Sequence, residues 1–274
     1  MSSEAHRPSS IGCSATPALE GRDAGVRQNA RCTRQGDRRA TAQLGWCAAL
    51  ATGQTGPRRP ALISAAVACS LACLLAVAGL LLAEWRAWPA TRALCKASAS
   101  TAFVALALSL HALDSSLGRW MLLAGGLSWL GDVCLLSGSS VFFLAGLGSF
   151  LLAHLAFGAA FATGPLDGRA LLVGLLLMGG VGALALRWLW PHLRGAYRTA
   201  VASYVLAIMA MCALAGARAS ALGAWPVALG ALAFAASDLA VARERFISAS
   251  GWNKAWGLPL YYAAQLVLTW SILR

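Results

Sequence analysis

Charged residues are scarce in this chain: Asp, Glu, Lys and Arg make up 12% of its 274 residues, against 59% hydrophobic residues and a mean hydropathy of +0.66. Ordinary soluble domains carry about 25% charge, so that class is excluded and an integral membrane protein is indicated. Zinc-type cysteine pairs are also missing. Cys13, Cys32, Cys47, Cys69, Cys73, Cys95, Cys134 and Cys212 form no C-x-x-C pair and have no histidine at metal-ligand spacing, so they read as reduced, structural thiols and no metal is expected. No H-E-x-x-H, G-x-S-x-G, P-loop or dinucleotide fingerprint occurs, which removes metalloprotease, serine lipase and nucleotide-driven readings. The first long apolar run starts near residue 62, too far in for an amino-terminal signal peptide.

What is present begins with positive charge. The net charge of +12 comes largely from an Arg-rich amino-terminal stretch, with the remaining cations in short segments between apolar runs. That distribution reads as membrane topology and contact with lipid phosphate, not nucleic-acid binding. Residues 1–59, rich in Ser, Gly, Thr and Arg, have no periodic apolar face and read as a disordered basic tail or as an extension upstream of the working start.

Residues 60–274 read as an all-α integral membrane domain. Leu62 to Ala83 is uncharged and long enough to cross a hydrocarbon layer of about 30 Å. Seven more spans are predicted over 97–113, 120–136, 141–161, 170–186, 199–217, 222–242 and 256–273, giving a compact bundle of eight transmembrane helices. Trp85, Trp88, Trp120, Trp188, Trp190, Trp225, Trp252 and Trp256 fall near span ends, where amphipathic rings prefer the headgroup zone. Abundant Gly, Ala and Ser inside the spans favour close helix packing. The loops after odd-numbered spans hold most of the cations, which places those loops in the cytoplasm of a bacterial-type cell with its inner membrane as the site, while Arg58 and Arg59 vote the other way.

Two carboxylates stand out because an Asp at mid-helix costs roughly 2.5–3.5 kcal/mol on insertion and so turns to a bundle interior or a wet cavity. Asp132 lies in LSWLGDVCLL and Asp238 in ALAFAASDLAV, four predicted spans apart, and each follows a glycine, Gly126 or Gly230. Each of these spans is followed by one with an isolated polar residue, His154 or Gln265, which suggests a four-plus-four internal repeat with the acids facing each other. Burial and mutual repulsion would then leave one neutral acid beside one carboxylate, able to give and take a proton in one cycle. The alternative is that each acid, a turn or so from its predicted span end, merely caps or hydrogen-bonds a neighbouring helix end. His154 reads either as an interhelical hydrogen-bonding residue or as a further member of the site. Lys96 reads as a snorkelling cation or a phosphate contact. Arg243, Arg245 and Lys254 follow the Asp238 span and read as topology signals or as the anchor for a lysolipid phosphate. His111 and Asp114 read as interfacial, and Asp167 as a loop residue.

The GD pair of the third span, FFLAGLGSFLLAHL, AYRTAVASYVLAIMAM, SDLAVARERF and LYYAAQLVL, in that order from Lys96 to the carboxyl end, resemble the YhhN-like lysoplasmalogenase family. Ala97 stands where that family commonly has proline after the lysine. The resemblance implies a cofactor-free membrane hydrolase that cleaves the vinyl ether of a lysophospholipid to a fatty aldehyde and a glycerophospho-alcohol. It implies that Asp132 and Asp238 are the catalytic pair and that His154, Tyr261, Tyr262 and Gln265 are the accompanying polar positions, with Asp132 and His154 expected on one wall, and Asp238, Tyr262 and Gln265 on the other, of a shared cavity that opens near Arg243 and Lys254. A small proton-coupled transporter or lipid-handling membrane protein is the alternative from another class.

Overall fold

A computed structural model describes residues 58–273, with side chains from Leu62 onward. The tail predicted over residues 1–59 falls outside them, except that Arg58 and Arg59 begin the first helix. The described residues form eight α-helices and no strand. These are α1 (Arg58–Trp85), α2 (Pro89–Ser109), α3 (Ser116–Cys134), α4 (Ser140–Phe161), α5 (Gly168–Leu189), α6 (Ala196–Leu222), α7 (Trp225–Phe246) and α8 (Gly251–Trp270). Single 3-10 turns follow α2, α5 and α8.

Helix starts are set by local side chains. Ser115, Ser139, Asp167 and Ser250 each accept a hydrogen bond from a backbone N–H in the first turn of the helix they precede, replacing a partner the helix cannot supply. Pro89 opens α2 at a position where its missing N–H costs nothing. As a result α2 starts eight residues before the predicted span at 97, and Lys96 sits two turns inside it. The apolar count missed those turns because Arg92 and Lys96 interrupt them. Helix α6 likewise continues past Ala217 to Leu222, so Arg218, predicted in a loop, is on the helix and buried, donating to the carbonyl of Phe161 at 3.3 Å. Lys254, also predicted in a loop, is in the first turn of α8.

Antiparallel neighbours pack as α1 with α2, α3 with α4, α5 with α6, and α7 with α8, and α4 packs on α6 while α8 closes against α1 and α2. Missing side chains make several approaches possible. A methyl group at Gly257 of α8 would collide with Ala240 of α7, and one at Gly182 of α5 would lie 2.8 Å from Met209 of α6. The main core is aromatic, built on Phe103, Phe157, Phe161, Phe234 and Tyr262, all nearly inaccessible. Leucines such as Leu75, Leu176, Leu184, Leu206 and Leu229 instead cover the outside, an arrangement suited to lipid and costly in water.

Five helices, α1, α4, α5, α6 and α7, are long and apolar enough to cross a membrane, as expected of an integral membrane protein. The other three, α2, α3 and α8, are shorter of hydropathy because they carry Lys96 and Ser100, Asp132, and Asn253, Lys254 and Gln265. These side chains turn inward, where they build the polar centre described next.

Candidate active site

A single cavity of about 720 Å³ reaches both acids. Asp132, from α3, is 3% exposed and surrounded by donors. Ser100 Oγ of α2 donates to its Oδ2 at 2.6 Å and Tyr261 OH of α8 donates to the same oxygen at 2.8 Å. Lys96 Nζ, one helical turn before Ser100 and on the same face of α2, lies 3.2 Å from Oδ1. Tyr262 supports this group from behind, with its hydroxyl 3.2 Å from Ser100 Oγ and donating to the Lys96 carbonyl at 3.3 Å. Gln265 donates to Tyr261 OH at 3.4 Å, one turn along α8, while its Oε1 is buried without a hydrogen bond.

Asp238, from α7, has different neighbours. Tyr204 OH of α6 donates to its Oδ2 at 3.1 Å. His154 Nε2 of α4 lies 3.2 Å from the same oxygen, although it is off the line of a hydrogen bond in this geometry. The other ring nitrogen, Nδ1, is 2.6 Å from the carbonyl of Phe150 one turn earlier. His154 itself is fully buried against the rings of Tyr204 and Phe234, at centroid distances of 5.2 and 4.6 Å. Both acids line the cavity, and Asp238, at 14% side-chain exposure against 3% for Asp132, is the more accessible of the two.

Sequence reasoning paired Asp132 with His154 and Asp238 with Tyr262 and Gln265. The structure exchanges these partners: α8 serves Asp132 and α4 serves Asp238. It also adds residues that sequence reasoning missed. Ser100 and Tyr204 looked like ordinary small and aromatic positions in apolar helices, and nothing in their local pattern marks them. Glu84 could have been noticed, since it is an acid among cations at the end of the first span. It lines the cavity and accepts from Lys254 Nζ at 3.0 Å, with Arg92 Nε 3.9 Å away.

The cationic end of the cavity is formed by Arg92, Lys96, Arg245 and Lys254, interleaved with Glu84 and Glu244. Arg245 lies over the Phe143 ring at 4.5 Å and donates to Ser140 Oγ at 3.2 Å and Tyr197 OH at 3.4 Å. Arg243 is set apart: it is exposed and does not line the cavity. The expectation that it would stand with Lys254 at the cavity opening fails because residues 243 and 245 point about 200° apart around α7, so only one can face inward. Among the described residues no group of three His, Cys, Asp or Glu side chains could hold a metal ion.

Residues 91–272, which include every side chain of both acidic centres, match the YhhN family. The chain belongs to the YhhN family. This YhhN chain is 32% identical over 150 residues to the Bos taurus protein named lysoplasmalogenase TMEM86A, covering 53% of this chain and 61% of that one. It is 35% identical over 165 residues to a Mycobacterium bovis protein named lysoplasmalogenase, covering 57% and 56%. It is 35% identical over 171 residues to Homo sapiens lysoplasmalogenase TMEM86B, covering 62% and 71%. The chain thus spans less than two thirds of the first two of these YhhN relatives. No solved structure matches it.

Proposed function

We propose that this protein hydrolyses the vinyl ether of a lysoplasmalogen or a related ether lysolipid, in the inner membrane of a bacterial-type cell. The observation that carries this reading is two acids with unlike polar surroundings on one cavity. Asp132 has an ammonium and two hydroxyl donors, the surroundings of a carboxylate, while Asp238 has a hydroxyl and an imidazole nitrogen. The names of the relatives support the same substrate class.

The chemistry closes on these groups. Asp238 gives its proton to the outer alkene carbon, forming a C–H bond and an oxocarbenium ion, which the Asp132 carboxylate stabilises. Water attacks the carbon next to oxygen and loses a proton to Asp132, leaving a hemiacetal. Asp132 returns that proton to the glycerol oxygen as its bond to carbon breaks. The hemiacetal O–H proton passes to Asp238, releasing the aldehyde and restoring both acids. The cations Arg92, Arg245 and Lys254 stand at the end of the cavity where the phosphate would rest, and the apolar walls from Met178 and Met209 suit the chain.

The unlike centres also support a four-plus-four repeat with all eight helices crossing the membrane. Asp132 on α3 is served by α2 and α8, and Asp238 on α7 by α6 and α4. Rotating the first four helices onto the last four exchanges α2 with α6, α3 with α7 and α4 with α8, which maps one set of partners onto the other. The polar side chains of α2, α3 and α8, Lys96 and Ser100, Asp132, and Tyr261, would then be shielded from lipid by bonding to one another.

The test is aldehyde release by protein purified in detergent, with a vinyl ether lysolipid as substrate and its ester analogue as control. Wild type is expected to act on the ether, and Asp132→Asn and Asp238→Asn each to lose at least 100-fold. Full activity in both variants, or equal cleavage of the ester, contradicts the two-carboxylate reading.

A further inference from the structure

The hydrogen bonds around His154 determine where a proton must be. A backbone carbonyl can only accept, so at 2.6 Å from Phe150 O the Nδ1 atom carries the hydrogen. In the neutral ring Nε2 is then a bare lone pair, and it faces Asp238 Oδ2 at 3.2 Å. Two lone pairs at that distance repel, and a proton on Oδ2 turned toward Nε2 relieves the repulsion even with the ring nitrogen off the ideal hydrogen-bond line. Tyr204 does not relieve this, because its hydroxyl donates to Oδ2 and leaves Nε2 unserved.

We infer that His154 is a positioning residue that keeps Asp238 loaded with a proton, so that Asp238 is the acid of the site and Asp132 its ionised counterpart. The inference rests on the hydrolase reading for its use in catalysis, while the protonation state itself stands on geometry. His154 is fully buried, against the rings of Tyr204 and Phe234 and the backbone of Phe150, and a neutral carboxylic acid with a neutral imidazole is less costly to bury there than an imidazolium with a carboxylate. His154 does not line the cavity, so the proton reaches substrate only from Asp238. In that transfer the Asp238 O–H turns from Nε2 to the cavity, and its bond to oxygen breaks as the C–H bond forms. The lone pair left facing the new carboxylate then favours recapture of the hemiacetal proton.

The titratable and charged groups around Asp238 are His154 from α4, Tyr204 and Cys212 from α6, and, across the cavity, Asp132, Lys96 and Tyr261 with Glu244 and Arg245 of its own helix. The test uses full-length protein in detergent micelles, ¹⁵N-labelled at histidine, with the His154 signals assigned from His154→Gln. At neutral pH, Nδ1 is expected to be protonated and Nε2 to be a hydrogen-bonded acceptor. A neutral ring protonated at Nε2, or an imidazolium, overturns the inference. This readout requires no substrate, so it is independent of whether the protein cleaves vinyl ethers.

A second arm reads the acid itself. The infrared carbonyl band of a protonated carboxyl should be present in wild type and absent in Asp238→Asn, whose amide can still donate to Nε2 and keep the ring in place; equal bands in both overturn the assignment. In the aldehyde assay His154→Gln should lower kcat about 100-fold with KM within about twofold, because a glutamine amide donates to Asp238 and favours its carboxylate. Activity should recover at acid pH as solvent supplies the proton. Unchanged kcat, or an equal loss at every pH, counts against the loading role.

Discussion

Replacing Lys96 by Met removes one partner of the buried pair with Asp132 while keeping the length of the side chain. At 3.2 Å the charge–charge attraction is about 5 kcal/mol with an effective dielectric constant near 20. The full loss is not expected, because the Lys96 side chain is 14% exposed and Ser100 and Tyr261 continue to donate to the carboxylate. Removing one member of a buried pair typically costs about 3–5 kcal/mol, and these remaining donors place this case at the low end, about 3 kcal/mol. For a folded unit of roughly 200 residues that corresponds to about 6–12 °C in the unfolding midpoint. The eleven tryptophans provide an intrinsic fluorescence readout, taken in one detergent at one scan rate. The decisive comparison is Lys96→Met with Asp132→Asn. If the cost is that of an uncompensated buried carboxylate, the double variant should be more stable than Lys96→Met alone by at least about 1 kcal/mol. Additive losses within about 0.5 kcal/mol would show that Lys96 contributes by packing alone and would refute the electrostatic account.

Other substitutions probe the frame around the site. A methyl group on Gly131 would lie 2.6 Å from the Phe150 ring, so Gly131→Ala is expected to cost about 1–3 kcal/mol and to lower activity by moving the helix turn that holds His154 Nδ1, both measured on the same purified sample. Gly223 ends α6 with φ +66°, a conformation that costs a residue with a side chain about 1–2 kcal/mol, so Gly223→Ala should lower the unfolding midpoint without changing KM. Outside the spans, the hydroxyl of Ser220 and then the backbone N–H of Ala170 hold the Asp167 carboxyl below the usual carboxylate range. A lowered folded-state value means that its contribution is present above the ordinary carboxylate range and lost as pH falls through the folded value. Asp167→Ala should therefore be less stable than wild type at pH 7, and the difference should close below about pH 4. A constant difference across that range would contradict it.

The parts of this molecule visible in the sequence are those where physics acts locally. The apolar runs set eight helices, and the cost of a carboxylate within an apolar span singled out Asp132 and Asp238 without any knowledge of their neighbours. The parts that were not visible depend on which helix faces which. Lys96 was read at the edge of its span because hydropathy counts a cation as an end, yet it lies inside α2, where the charge is balanced by Asp132 on α3. Tyr204 and Ser100 carry no signal of their own because a single hydroxyl barely changes the hydropathy of a helix.

The partner exchange follows from the same limit. Reading along the chain joins Asp132 to His154, since a short hairpin connects their helices, but neighbours in sequence need not turn their polar faces toward each other. Here α4 turns His154 toward α7 and α8 turns Tyr261 toward α3, so each acid is completed by a helix from the opposite half of the chain. Both centres consequently need the same packing: one half against the other supplies the imidazole to Asp238 and the tyrosine to Asp132. A variant that loosens the contact between halves should therefore impair both acids together, read as a loss of aldehyde release together with a lower unfolding midpoint.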